Sequence, residues 1–175
     1  CHNVGHVEFA RQHKLQYILG RGMNIYNDNM LSLFSDRAAF VFSYELTLAE
    51  IRNFVARDGL IFVDGQISLM QLVHCPYKVC YGGSCATCKA TNELYYTDKL
   101  GNDFVVQRRR AEKCTFELLN GKKLSVVNKL KSVGRYLVDY DQAVVQHYAN
   151  LNNGQQDGFI CDKPYTKGRL YDKIN

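Results

Sequence analysis

Five of the seven cysteines of this chain fall between residues 75 and 114, four of them in the run His74-Cys75-Pro76-Tyr77-Lys78-Val79-Cys80-Tyr81-Gly82-Gly83-Ser84-Cys85-Ala86-Thr87-Cys88 and the fifth at Cys114. This spacing constrains the fold more than any apolar pattern, because sulfurs that share one ion must be brought to one point. Cys85 and Cys88 stand two residues apart behind Gly82 and Gly83, and a glycine-loosened loop can turn its amides inward while both sulfurs face the same centre. A tetrahedral site needs four ligands. Cys75 and Cys114 are the natural remaining two, with Cys80 in reserve. The spacing points to a metal site and leaves zinc and an iron–sulfur cluster both open.

A disulfide framework fits less well. The cysteine count is odd, nothing resembles a secretory signal, and 175 residues can bury a core without covalent staples. Reduced thiols in a cytoplasmic protein are the expectation. Lys78, Lys89 and the paired glycines also make the segment a poor buried strand. Cys1 and Cys161 lie apart from the cluster and receive no role.

With 46% hydrophobic and 22% charged residues the chain is expected to fold rather than stay disordered. No apolar run approaches the roughly 20 residues that span a bilayer, so no membrane partner is expected. The net charge of +5 is unevenly placed: Lys99, Arg108, Arg109, Arg110, Lys113, Lys122, Lys123, Lys129, Lys131 and Arg135 crowd the stretch after the cysteine run. Such a patch favours phosphate-bearing partners, which makes RNA a candidate partner and Arg108, Arg109 and Arg110 its candidate contacts; a solvated basic face is the plain alternative. Tyr95 and Tyr96 offer stacking surface beside it, although hairpin tyrosines more often pack across strands.

Up to about Phe62 helical and strand patterns alternate, as in parallel β/α units. A helix over Val4 to His13, with Val4, Val7, Phe9 and Ala10 on one face, leads to a strand at Gln16–Gly20. A helix from about Asn29 to Ser35 precedes a strand over Ala38–Phe42. Thr47 and Glu50 have the spacing of a capping box, and the helix they start carries Ile51, Phe54 and Val55 inward. A third strand, Leu60–Val63, enters Asp64-Gly65 and then the cysteine loop. From Glu93 the pattern turns to hairpins, with strands about Tyr95-Tyr96 and Phe104–Val106 joined by Asp98–Asn102. Further short strands surround Asn120-Gly121. A last β/α unit covers Arg135–Asp139 and Gln142–Leu151, and the polar tail is expected on the surface.

Repeated β/α units form a barrel or a doubly wound sheet, and both place chemistry at the C-terminal strand ends. The candidate substrate-face residues are therefore Asn24 and Asn27, Ser43 and Glu45, and Asp64. For the asparagines loop formation is the simpler reading, and Glu45 equally suits a helix start. The catalytic residues are not identified by sequence. No His-Glu-x-x-His helix is present, and His74 fits better as a donor supporting a metal-bound sulfur than as a dyad partner of Cys75.

Taken in order, these segments resemble the collagenase-like U32 peptidase family over almost the whole chain. Asn3-Val4-Gly5, Met23-Asn24-Ile25-Tyr26-Asn27, Ser43-Tyr44-Glu45-Leu46-Thr47, and Asp64-Gly65 leading to Leu69-Met70 and His74-Cys75-Pro76 look like the second half of that family's β/α barrel. The Cys85/Cys88 pair, Thr97-Asp98-Lys99-Leu100-Gly101 with Phe104, Cys114 and Tyr165-Thr166-Lys167-Gly168 are similar to its C-terminal region. Of the family signature this chain keeps Phe62, Gly65, Ile67 and Cys75, with Leu60 in place of a glutamate, Gln66 in place of a small residue and Ser68 in place of the first cysteine. Family members with a cluster use that first cysteine; here Cys88 is the substitute, so that Cys75, Cys85, Cys88 and Cys114 form a rearranged set open to zinc.

The resemblance implies an α/β fold, a partial β/α (TIM-type) barrel fragment followed by a small mainly β subdomain. The expected divisions are 1–74 for the barrel units, 75–132 for the cysteine-rich loop and hairpins, and 133–175 for the final unit and tail. It implies a U32-type peptidase fragment incomplete for catalysis; the alternatives are iron–sulfur-dependent hydroxylation of RNA bases, as in several relatives, and an RNA-binding module with a structural metal. The chain opens on Cys1-His2-Asn3 directly in a helical pattern, which predicts a C-terminal piece of a longer chain. Its open strand edge then calls for the remaining N-terminal part or a second copy as partner.

Overall fold

The computed structural model describes residues 1–56, 58–88, 91–110, 114–126, 136–138, 142–154 and 165–166. Cys161, most of the basic residues after Lys123 and most of the tail lie outside the described residues. The fold is mixed α/β with two sheets, and it divides into two compact units, one over 1–65, 124–162 and 166–175 and the other over 66–123 and 163–165.

In the first unit, helix α1 (Val4–Gln12) starts where the Asn3 side chain accepts from the His6 amide at 2.9 Å. It ends at Lys14, whose φ of 53° is left-handed. The Leu15 amide reaches back to the Ala10 carbonyl at 2.9 Å and the Lys14 amide to Arg11 at 3.1 Å, the paired closure that terminates many helices. Val7 and Ala10 are buried, whereas Val4 and Phe9, expected on the same inward face, are exposed. Phe9 is two positions from Val7, about 200° around the helix axis, and Val4 is the first residue of the helix.

Strands β1 (Ile18–Leu19), β2 (Ala39–Val41) and β3 (Gly59–Gly65) are parallel neighbours, with α2 (Asp28–Ser32) and α3 (Leu48–Arg52) between them in the chain. The Thr47–Glu50 capping box is present: the Glu50 amide donates to Thr47 Oγ1 at 3.3 Å and the Thr47 amide to Glu50 Oε2 at 2.7 Å. Thr47→Ala should cost about 1 kcal/mol, read from a urea denaturation midpoint. Ile51 and Phe54 are buried, but Val55 is 81% exposed, contrary to expectation. The helix has already stopped at Arg52, and the Val55 and Ala56 amides turn to the Asp28 carboxylate at 3.0 and 3.2 Å. The core centres on Phe40, fully buried, with Phe42 and Phe54 ring centroids at 4.8 and 6.3 Å.

Asp36 ties α1 to the segment after α2. It accepts from Arg11 Nη2 at 2.6 Å, Arg11 Nε at 2.9 Å and the Tyr17 hydroxyl at 2.5 Å. Arg11 and then Tyr17 hold its carboxyl well below the usual carboxylate range. A carboxyl depressed in the folded state stabilises above its unfolded value, about 3.9, and that contribution is lost as pH falls through the folded value. Asp36→Asn should therefore flatten the acid side of the stability profile, measured by urea midpoints from about pH 6 down to about pH 2.

The chain leaves β3 for the second unit and forms β4 (Ser68–Leu72), a strand not anticipated from the sequence, then α4 (Pro76–Tyr81) inside the expected cysteine loop. Strands β5 (Glu93–Thr97), β6 (Asp103–Arg110) and β7 (Cys114–Asn120) complete an antiparallel sheet of order β4-β7-β6-β5. The β5–β6 turn is held by Asp98, which accepts from the Leu100 and Asn102 amides, each at 2.8 Å; Gly101 supplies the positive φ of 81°. Gly121 passes so close to the Asp103 backbone, its amide 2.9 Å from the Asp103 carbonyl, that a Cβ there would collide with it.

Strand β8 (Lys123–Ser125) does not join this sheet. It pairs antiparallel with β3, Asp64 opposite Ser125. Strand β9 (Tyr136–Val138) lies parallel to β3 and is followed by α5 (Gln142–Asn152); β10 (Tyr165–Thr166) ends the six-stranded sheet, ordered β1-β2-β3-β8-β10 with β9 on β3. Among the described residues no helix is long and apolar enough to cross a membrane.

Candidate metal centre

Pleat alternation gives the second unit's sheet two unlike faces. The register sets Tyr96 opposite Phe104, Val106 opposite Leu118, and Arg108 opposite Phe116, so these residues share one face. Val106, Arg108 and Phe116 are buried on it. Two contacts join this face to the cysteine segment. The Tyr96 hydroxyl lies 3.9 Å from Cys80 Sγ, and Arg108 donates from Nη1 to Cys88 Sγ at 3.4 Å. Burial above all, then Cys80, pushes the Tyr96 phenol up to about 12.

The segment itself is built from short local structures. Cys75 takes the extended conformation favoured before proline and precedes Pro76 at the start of α4. Tyr77 and Tyr81, one turn apart, bring their rings to 4.8 Å. Gly82 and Gly83, with φ of 70° and 93°, end the helix in open space, where a Cβ added to either would meet no atom beyond its chain neighbours within 4 Å. A single 3₁₀ turn over Cys85–Thr87 follows, closed by the Cys88 amide on the Cys85 carbonyl at 3.4 Å.

Cys75, Cys85 and Cys88 line one pocket of about 190 Å³ with Tyr77, Lys78 and Tyr81. Cys114 lies opposite Arg110 at the end of the β6–β7 ladder, two residues from Phe116, and alternation puts it on the face that carries Arg108. All four expected ligands thus belong to one unit, and two of them, Cys88 and Cys114, are tied to the face that carries Arg108. Among the described residues no three His, Cys, Asp or Glu side chains converge closely enough to hold an ion. Their donor chemistry suits zinc or an iron–sulfur cluster, since soft thiolates select both. Cys80 points to Tyr96 instead, and His74 is exposed.

The arginine run does not form one basic surface. Arg108 is 7% exposed, its guanidinium turned to Cys88 and to Asn92 Oδ1 at 3.5 Å, and Arg109 forms an ion pair with Glu117 at 2.8 Å. The side chain of Arg110 lies outside the described part of the chain. Arg108 as the partner of Cys88 was missed in the sequence, although period-two alternation from Val106 contains the signal.

The substrate-face candidates are all in the first unit. Asn27 caps α2, accepting from the Met30 amide at 2.9 Å, and Asn24 adopts the left-handed conformation, φ 49°, after a 3₁₀ turn; both have backbone roles. Ser43 is buried and accepts from the Glu45 amide at 3.2 Å, while Glu45 accepts from the Tyr26 hydroxyl at 2.6 Å. Asp64 is fully buried in β3. Nearby residues not singled out by sequence are Arg21, whose guanidinium lies 4.4 Å from the Phe62 ring centroid, and Tyr44, whose phenol is pushed up by burial and then by Glu45.

No protein-family model, curated protein or solved structure matches this chain.

Proposed function

We propose that the chain is part of a U32-type, collagenase-like peptidase, and that Cys75, Cys85, Cys88 and Cys114 bind a zinc ion or an iron–sulfur cluster that holds the cysteine segment on the antiparallel sheet. The observation that supports the metal reading is that Cys75, Cys85 and Cys88 line one pocket and that Cys114 lies on the sheet face that carries Arg108, the partner of Cys88. The segment also needs an anchor. None of the residues of α4 is buried, and Val79 and Tyr81 are exposed, while a helix of six residues is marginal on its own. Four thiolates leave no open position for water, so the ion's role in this reading is structural.

The barrel-fragment reading of the first unit draws support from β1, β2 and β3 running parallel with α2 and α3 between them. In that reading Ser43, Glu45 and Asp64 stand at the strand ends where barrel enzymes place their chemistry. The protein is taken to act in the cytoplasm, where thiols stay reduced.

Anaerobic purification followed by metal analysis and absorbance tests the centre. Stoichiometric zinc, or iron with acid-labile sulfide and visible absorbance, supports it; a folded, reduced chain holding neither overturns it. Release of peptides from denatured collagen, assayed with and without chelator, tests the peptidase reading separately.

A further inference from the structure

We infer that Cys85 and Cys88 form a reversible intramolecular disulfide, making this pair the oxidation site of the cysteine segment. The turn supplies the geometry. A closed turn spanning four residues brings its end Cα atoms within about 7 Å, and disulfides join Cα atoms about 4.4–6.8 Å apart. The Cys88 amide to Cys85 carbonyl bond at 3.4 Å closes that turn. Both side chains line the same 190 Å³ pocket, and both residues are exposed, so an oxidant reaches them.

The other thiols of the segment are placed less favourably. Cys80 lies against the Tyr96 hydroxyl, Cys114 is on a strand, and Cys75, which lines the same pocket, is not joined to either sulfur by a closed turn as Cys85 and Cys88 are to each other. Arg108 Nη1 holds Cys88 Sγ at 3.4 Å, so Cys85 is the sulfur that swings. The open space around Gly82 and Gly83 lets the backbone adjust ahead of it.

The oxidant is hydrogen peroxide. One sulfur attacks the peroxide, the O–O bond breaks, and a sulfenic acid and one water form. The second sulfur then displaces the sulfenic oxygen as a second water while the S–S bond closes. Two electrons pass from the sulfur pair to the peroxide, and a dithiol reductant returns them. Exposed disulfides of this kind are the labile ones. Its consequence for the metal rests on the reading above: a closed disulfide withdraws two of the four ligands and releases the ion.

The test treats the full reduced chain with hydrogen peroxide, zinc-loaded and after chelation, and maps cysteine peptides by mass spectrometry while a chromogenic chelator follows zinc. The expected result is a Cys85–Cys88 disulfide in both forms, reversed by dithiothreitol, with one zinc released per disulfide in the loaded form. Cys80→Ser should leave the pairing unchanged. Free thiols at both positions after oxidation, or preferential pairing of either with Cys75, Cys80 or Cys114, would overturn the inference. If the disulfide forms but the chain never binds zinc or iron, the metal reading fails and the oxidation site stands.

Discussion

Replacing Cys85 or Cys88 by serine is expected to reduce bound metal from stoichiometric to trace and to loosen the chain from His74 to Cys114. Thiolate ligation of a structural ion is folding free energy, on the order of 10–16 kcal/mol for small zinc domains at pH 7, and α4 has no buried residue of its own to fall back on. Hydrogen exchange should show lost protection in α4 and in the Cys85–Thr87 turn, with β1–β3 unchanged. Cys1→Ser and Cys161→Ser should alter neither metal content nor exchange. Metal that survives the double replacement, or a Cys85–Cys88 disulfide that persists in protein isolated under reducing conditions, would falsify the metal centre.

The first unit should be most sensitive at Phe40. Its ring is fully buried, Phe42 meets it edge-on, Phe54 stacks at 6.3 Å, and the Arg37 guanidinium sits 5.2 Å from its centroid. Phe40→Ala removes a ring that neighbours on several sides cannot collapse to replace, and should cost about 3–5 kcal/mol, read from urea denaturation. Gly59→Ala probes the same cluster from the opposite direction, because the added Cβ would collide with the Phe42 ring. It should destabilise by about 1–3 kcal/mol through overpacking. A Phe40→Ala loss below about 1 kcal/mol would mean that this cluster is not the core of the unit.

Signals carried within a few residues were legible before the fold was known. The Thr47–Glu50 capping box, the Asp98–Asn102 hairpin turn and the order of the first three strands depend on side chains meeting their own nearby backbone, or on an apolar run long enough to have a pattern. The cysteine spacing likewise marked the segment that carries the pocket. Strand β4 was hidden because Leu69 and Met70, where the register with β7 slips, are both exposed, and because Ser68–Leu72 lacks apolar–polar alternation. Helix α4 was hidden because six residues with no buried side leave no helical period to read.

Sequence alone determined which segments form local structure and which residues are chemically able to bind a soft metal, because capping, turn chemistry and thiol softness belong to the residues themselves. Tertiary structure decided what each segment meets. It sent β8 to β3 instead of β7, turned Val55 outward by giving its amide to Asp28, and split Arg108 from Arg109 across a pleat so that a presumed surface cation faces Cys88. Those choices depend on partners tens of residues away, and the free energy that selects them comes from burial and pairing that exist only once the chain has closed on itself.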